Sequence, residues 1–372
     1  MKRAWLTLCL LLCLLLSACG GKETTPAAAE PVGQMELEYA ERFSVDYYPE
    51  DAAVVTLGED DRCLLLHPDA APPQGLEDLP VIRYPVERVY LASSAVPDLF
   101  AQMDALDTVR FTGTARSDWK LPAMCAAMDG GAIRYAGKYS APDYELLLEE
   151  QTDLVVENTM IFHTPEVLEK LQTLGLPVIV EYSSYEPHPL GRVEWIKLYG
   201  LLTGHLDEAE AFFDAQSELV RQLPAAEDTG KTAAFFHITP NGAVVVRRSA
   251  DYIPRMMELA GGSYALAELP ESETALSTVT IQMESFYAQA KDADVLIYNS
   301  TVAGELSGLQ DLLALNPLFA DFRAVRNGAV WCTEQSMYQQ SSAAAGIIAD
   351  FNRIFSGAAD ETDQLTYLHR LK

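Results

Sequence analysis

The chain has 372 residues, with 26 Lys and Arg against 54 Asp and Glu, for a formal charge of −28. A field of that sign excludes nucleic acid as a partner, because counterion release requires a basic footprint. With the leader set aside, roughly 335 residues remain, more than one comfortable core, which predicts two domains.

Lys2 and Arg3 open that leader, and the apolar stretch from Ala4 to Leu16 is shorter than the ~20 residues a helix needs to span a bilayer. A basic start, a short apolar run and small residues at the cut site describe a secretory signal peptide over residues 1–18. The segment Leu16-Ser17-Ala18-Cys19 resembles the bacterial lipobox, which implies acylation of Cys19 and a protein lying on the extracytoplasmic face of the membrane. No later segment reaches about 18 uninterrupted apolar residues, so the mature chain is expected not to cross the bilayer. Residues 19–36 are poor in large apolar side chains and read as a flexible tether. Cys9 and Cys13 leave with the leader. Cys63, Cys125 and Cys332 are widely spaced and odd in number, so no disulfide framework is visible and whether two of them pair stays open.

After the tether, RFSVDYY, AAVVTLG and RCLLLH read as a small antiparallel meander. A strand-then-helix rhythm follows. RVYLAS leads into AVPDLFAQMDAL and TVRFTG, and TDLVVEN leads into TPEVLEKLQTLG and LPVIVEY. Short apolar strands alternating with amphipathic helices indicate a parallel sheet covered on both faces. Residues 205–223 form one long helical pattern bounded by Gly204 and Pro224, about 30 Å long at ~1.5 Å per residue and sufficient for a strut. The rhythm restarts with TAAFFHI, GAVVV, DADVLIYN and GAVWCT. An internal echo links YELLLEEQTDLVVEN and MESFYAQAKDADVLIYN: a glutamate opens a helix, then an Asp-led strand ends in Asn. Two lobes of one design follow: 37–204 and 227–372, joined by a linker at 205–226.

In open α/β sheets, ligands sit beyond the carboxyl ends of the strands. On the first lobe that rule selects Ser93, Ser94, Thr112 to Arg116, Trp119, Tyr139, Glu157, Asn158 and Tyr182 to Tyr185. On the second it selects Thr239, Asn241, Arg247 to Tyr252, Asn299 to Thr301 and Thr333 to Tyr338. The aromatic, basic and polar members that best suit a large ligand are Arg116, Trp119, Tyr139, Glu157, Tyr182, Tyr185, Arg247, Arg248, Tyr252, Asn299 and Tyr338. No hydrolase elbow, zincin helix or phosphate loop is present, so no catalytic residues are assigned. The six histidines never pair at metal-ligand spacing, so neither a bare-ion site nor a resident cofactor is expected.

The order of features resembles the substrate-binding proteins of ABC importers for vitamin B12, ferric siderophores and haem. PLGRVEWIKLYGLLTG, DYIPRMMELAGG and FADFRAVRNGAVW carry the likeness, which runs from about Val89 to Gly357. It implies an α/β fold of two Rossmann-like lobes joined by a single long helix, with a ligand cleft between them and the N-terminal meander as an addition. It also implies that Glu145 and Glu284 dock one lobe each into arginine pockets of a permease, which works with a cytoplasmic ATPase. The implied cargo is an iron(III)–siderophore or similar chelate, with cobalamin or haem next, bound by a monomer. The different-class alternative is a surface-anchored binding module for a non-metal ligand, without an importer.

Overall fold

A computed structural model describes residues 29–223, 229–268, 277–359 and 364–372. The leader, Cys19, the start of the tether and the end of the expected linker lie outside the described residues. Within them, no helix is long and apolar enough to cross a membrane.

The front sheet has five strands in chain order: β1 (Gly33–Gln34), β2 (Phe43–Tyr48), β3 (Ala52–Leu57), β4 (Asp61–Leu66) and β5 (Val81–Arg83). All neighbours are antiparallel except β4 and β5. The predicted meander is present, and its sheet begins at Gly33, inside the segment expected to be tether.

The second sheet has the order β12-β11-β6-β7-β8 and is parallel throughout. Its strands are β6 (Val89–Leu91), β7 (Val109–Thr112), β8 (Arg134–Tyr135), β11 (Leu154–Asn158) and β12 (Val178–Glu181), with the small ribbon β9 (Gly137–Lys138) and β10 (Ala141–Pro142) alongside. Every residue of β6 is buried, as a strand covered on both faces requires. Helices α1 (Val96–Gln102), α2 (Pro122–Asp129), α3 (Tyr144–Glu149) and α4 (Pro165–Thr173) alternate with these strands.

Two helices then run back to back, α5 (Pro189–Thr203) and α6 (Leu206–Gln222), reversing at Gly204. Gly200 lets them close, since a Cβ there would stand 2.6 Å from that of Ala209. The long helix expected at 205–223 is therefore not a bare strut: it packs on α5, which is buried almost all round.

The third sheet has seven strands: β13 (Thr232–Ile238), β14 (Val244–Arg247), β15 (Ser263–Tyr264), β16 (Thr278–Ile281), β17 (Val295–Tyr298), β18 (Val330–Thr333) and β19 (Leu368–Arg370). Strands β13, β17 and β18 are parallel, as expected. The run GAVVV departs from the rhythm. It is the return arm of an antiparallel hairpin with β13, because the link from Thr239 to Ala243 is too short for a helical crossover. Helices α7 (Tyr252–Leu259), α8 (Met283–Ala290) and α9 (Ala344–Ser356) cover this sheet.

One apolar core runs through both lobes, because α1, α5, α6 and α9 pack against one another. Two polar latches join the lobes beside it. The buried carboxylate of Asp98 accepts the Ser342 N–H at 2.9 Å. Gln339 accepts the Lys120 N–H at 2.8 Å and donates to the Asp118 carbonyl at 2.9 Å. The three described cysteines are free thiols, so none of them pair.

The charges inside α5 explain how the meander is held. Glu194 has no exposed surface and accepts the N–H groups of Glu38, Tyr39 and Ala40 at 2.8 Å each, while Lys197 pairs with it at 2.8 Å. Glu186 takes the next two N–H groups, Glu41 at 2.8 Å and Arg42 at 3.0 Å, together with the Trp195 indole at 2.8 Å. Removing one member of a buried ion pair strands the other and costs about 3–5 kcal/mol. Glu194→Ala is accordingly expected to lower unfolding free energy in urea by about that amount, and a loss below about 1 kcal/mol would contradict this account.

Candidate functional site

Strand ends place the candidate residues, and the structure sorts them into three groups. The first is a basic-aromatic cluster where α5 of the first lobe meets the second. The Arg192 guanidinium lies 4.0 Å over the Tyr252 ring, and that of Arg247 lies 5.7 Å from the same centroid. Arg247 is pinned by Asp251 at 3.4 Å, with side chains 17% and 3% exposed, whereas Arg192 makes no salt bridge among the described residues. Arg192, Tyr252, Met337 and Tyr338 share a cavity of about 20 Å³, room for about one water. Arg248 follows on the chain, half-buried, with its N–H on the Ser277 carbonyl.

His188 sits at the start of α5, stacked on Tyr39 at 4.3 Å between centroids. Burial first, then the charge of Arg255, push its imidazole down to about 4. Its Nδ1 accepts the Leu190 N–H at 3.2 Å, which only the unprotonated nitrogen can do.

The second group is aromatic and belongs to the first lobe. Tyr182 and Tyr185, after β12, meet Phe162 and the β3–β4 turn around a cavity of about 530 Å³. A neighbouring cavity of about 560 Å³ runs between β12 and the meander. The roomy spaces therefore lie against the meander, and the space between the lobes at Arg192 is small.

The third group has structural duties. Trp119 is 2% exposed and gives its indole N–H to the Thr114 carbonyl at 3.2 Å, so its ring is core. Asn299 is 4% exposed, and its Oδ1 accepts from the Thr301 N–H at 3.2 Å and hydroxyl at 2.6 Å, fixing the turn after β17. Asn158 does the same after β11, accepting the Met160 N–H at 2.9 Å. The internal echo is thus real at its last residue, where Asn caps a turn. Arg116 is bidentate with Asp129 on the surface, both contacts at 2.8 Å. Tyr139 packs half-buried against the smaller apolar cluster of the first lobe. Glu145 and Glu284 are exposed in the first turns of α3 and α8.

Glu157 is the anomaly. It has no exposed surface, and neither carboxylate oxygen has a hydrogen-bond partner. Burial pushes its carboxyl up to about 8. Burial first, then the charge on Glu157, raise the phenols of Tyr90 and Tyr144 beside it.

Sequence reasoning missed Arg192 and Phe162. Arg192 had a signal, as one of few charges inside a helix otherwise apolar on every side. Phe162 had none beyond its place four residues after a strand, since exposure cannot be read from type.

Glu157 generates a pH prediction. The native state keeps a proton that the unfolded chain releases near the ordinary value of 4.5, so stability falls as pH rises from there to about 8. The slope from one proton approaches about 1.4 kcal/mol per pH unit. Burial also raises Asp98, Asp251, Glu186 and Asp350, and these act in the same direction in wild type and variant alike. Glu157→Gln is expected to gain on wild type steadily between pH 5 and about 8 in chemical unfolding. Parallel stability curves would contradict the assignment.

An uncharacterized lipoprotein of Methanocaldococcus jannaschii is 24% identical over 369 residues, covering 94% of this chain and 90% of the relative. A periplasmic haem-binding protein from Pseudomonas aeruginosa superposes with a TM-score of 0.60 at 17% identity, covering 77% of this chain and 98% of that one. An ABC-type Fe3+-hydroxamate transport protein from Saccharomonospora viridis gives 0.57 at 20% identity, covering 74% and 95%. These likenesses show the two-lobe fold. The periplasmic binding protein family matches residues 89–337, more than half of the sequence, and the chain belongs to that family, whose members bind substrates and do not transform them.

Proposed function

We propose that the chain is the lipid-anchored, extracytoplasmic receptor of an ABC importer, capturing an iron(III)–siderophore or a similar metal chelate, with cobalamin or haem next. The observation that carries the reading is the Arg192–Tyr252–Arg247 cluster. In a chain of charge −28, guanidinium groups converge on one aromatic ring where the two lobes meet. Arg suits carboxylate and iron-bound oxygens through charge-assisted, planar contacts, and Tyr offers rigid area for a bulky ligand. The cavity of about 20 Å³ there holds about one water, so this reading requires the lobes to part before a chelate enters. Similar proteins bind haem and transport a ferric hydroxamate, which supports a chelate as cargo.

In this reading the lobes are 37–204 and 227–372, with 205–226 between them, and α6 braced on α5 limits how far they swing. A ligand biases closure only by its differential affinity for the closed state. Glu145 and Glu284 dock the permease. Both are exposed, and both open a helix that leads into the repeated strand-and-Asn-cap unit. Cys19 carries the lipid.

Two measurements test this. In a thermal-shift panel of ferric siderophores, haem and cobalamins, one chelate at 100 times its Kd is expected to raise stability by about 2.7 kcal/mol. Arg192→Ala is expected to weaken that chelate about tenfold or more, the loss of a charged contact of about 1.5–3 kcal/mol. No response to any chelate favours a non-metal ligand. Separately, Glu145→Lys and Glu284→Lys are expected to abolish uptake while leaving chelate affinity intact, and wild-type uptake in either variant would remove the docking role.

A further inference from the structure

The β3–β4 turn does more than close a hairpin. Gly58, at φ 62°, lays its backbone on the Tyr182 ring, where a Cβ would stand 2.8 Å from Cζ, so no side chain fits there. Asp61, which follows that turn and opens β4, accepts the Tyr182 hydroxyl at 3.2 Å. Burial first, then Asp61, hold that phenol up at about 12, so it stays a neutral donor. The turn and the ring form one rigid wall.

Opposite stand two aromatic rings that reach solvent. Phe162 is 48% exposed and Tyr185 43%, and their centroids lie 6.1 Å and 6.5 Å from that of Tyr182. Glu59, Asp60 and Thr159 also line the cavity, and among the described residues neither Glu59 nor Asp60 has an ion-pair partner. Arg42 is the one cation in the lining, and its Nε is directed to the Tyr185 carbonyl at 3.4 Å. The volume of about 530 Å³ falls in the range of small-ligand pockets, about 300–1,000 Å³.

From these aromatic faces set against carboxylates, we propose that the pocket is a second binding site, selective for an organic ammonium group. Ring faces attract a cation through their quadrupole, and a carboxylate wall adds charge of the matching sign. An anionic ligand is disfavoured by the same wall. The site does not depend on the chelate reading. The ammonium comes either from a free amine or from a pendant arm of a larger ligand seated between the lobes.

The test is calorimetric titration of the full chain in detergent with tetramethylammonium, and with tert-butanol as the uncharged probe of the same shape. Saturable binding of the cation, about tenfold or more tighter than the alcohol, is expected. The double substitution Glu59→Gln with Asp60→Asn and, separately, Tyr185→Ala are each expected to weaken it by about tenfold. All three positions are exposed, so folding survives, as a circular dichroism melt would verify. A second arm compares a ferric trishydroxamate carrying a pendant ammonium with its N-acetylated form. Preference for the charged form assigns the pocket to an arm of the larger ligand. Binding of tetramethylammonium with neither chelate bound keeps the pocket and assigns it to a free amine, while the chelate reading stands or falls by the thermal-shift panel. Tetramethylammonium no tighter than the alcohol, with no discrimination between the chelates, overturns the proposal, as does unchanged cation binding in both variants.

Discussion

The structure depends on a run of backbone amides held by buried carboxylates. The N–H groups of Glu38 through Arg42 point in succession at Glu194 and Glu186. This irregular segment, outside any strand, has no ladder partner for its part-buried donors, and a donor left buried and unpaired costs about 1–3 kcal/mol. Two acids on and before α5 solve that problem, and Lys197 balances the charge of the deeper one. The solution makes the meander part of the frame. It sets the β3–β4 turn against Tyr182, and so fixes a wall of the aromatic cavity beside the first lobe. The same helix presents Arg192 to the second lobe. One buried helix thus positions both candidate binding surfaces.

Charge is distributed with the same economy. The surface carries a large negative excess, yet the residues around Tyr252 are basic and those around Tyr182 are acidic with aromatic relief. A dissolved anion meets long-range repulsion that salt screens within about 8–10 Å, and then a local guanidinium pair that salt affects much less. Such an arrangement rewards ligands large enough to offer shape and aromatic contact as well as charge. Small bare anions gain little from it.

Much of the architecture was legible because apolar runs of β-branched residues have few alternatives. VYL and LVVEN can only be strands covered on both faces, and Gly204 and Pro224 bracket the long helix in plain view. The Asn ending each half of the internal echo was visible too. Its work was not, since Asn after a strand serves a turn as readily as a ligand, and the turn won at both Asn158 and Asn299. Trp119 shows the same limit: a large aromatic beyond a strand end is core or site according to where the loop folds back. The pocket around Tyr182 joins residues more than a hundred positions apart, and no spacing rule reaches that far. Arg192 stood out as a charge in an apolar helix, but that signal did not separate it from Glu194 and Lys197, which serve the interior.

The central claim is that the amides of Glu38 to Arg42 are locked to α5, so that meander and lobe form one body. Native-state hydrogen exchange on those amides tests it most directly. The account predicts protection equal to that of the buried centre of α5, with exchange only through global unfolding. Exchange at loop rates while α5 stays protected would show the meander to be loosely attached, and the rigid wall beside Tyr182 would go with it.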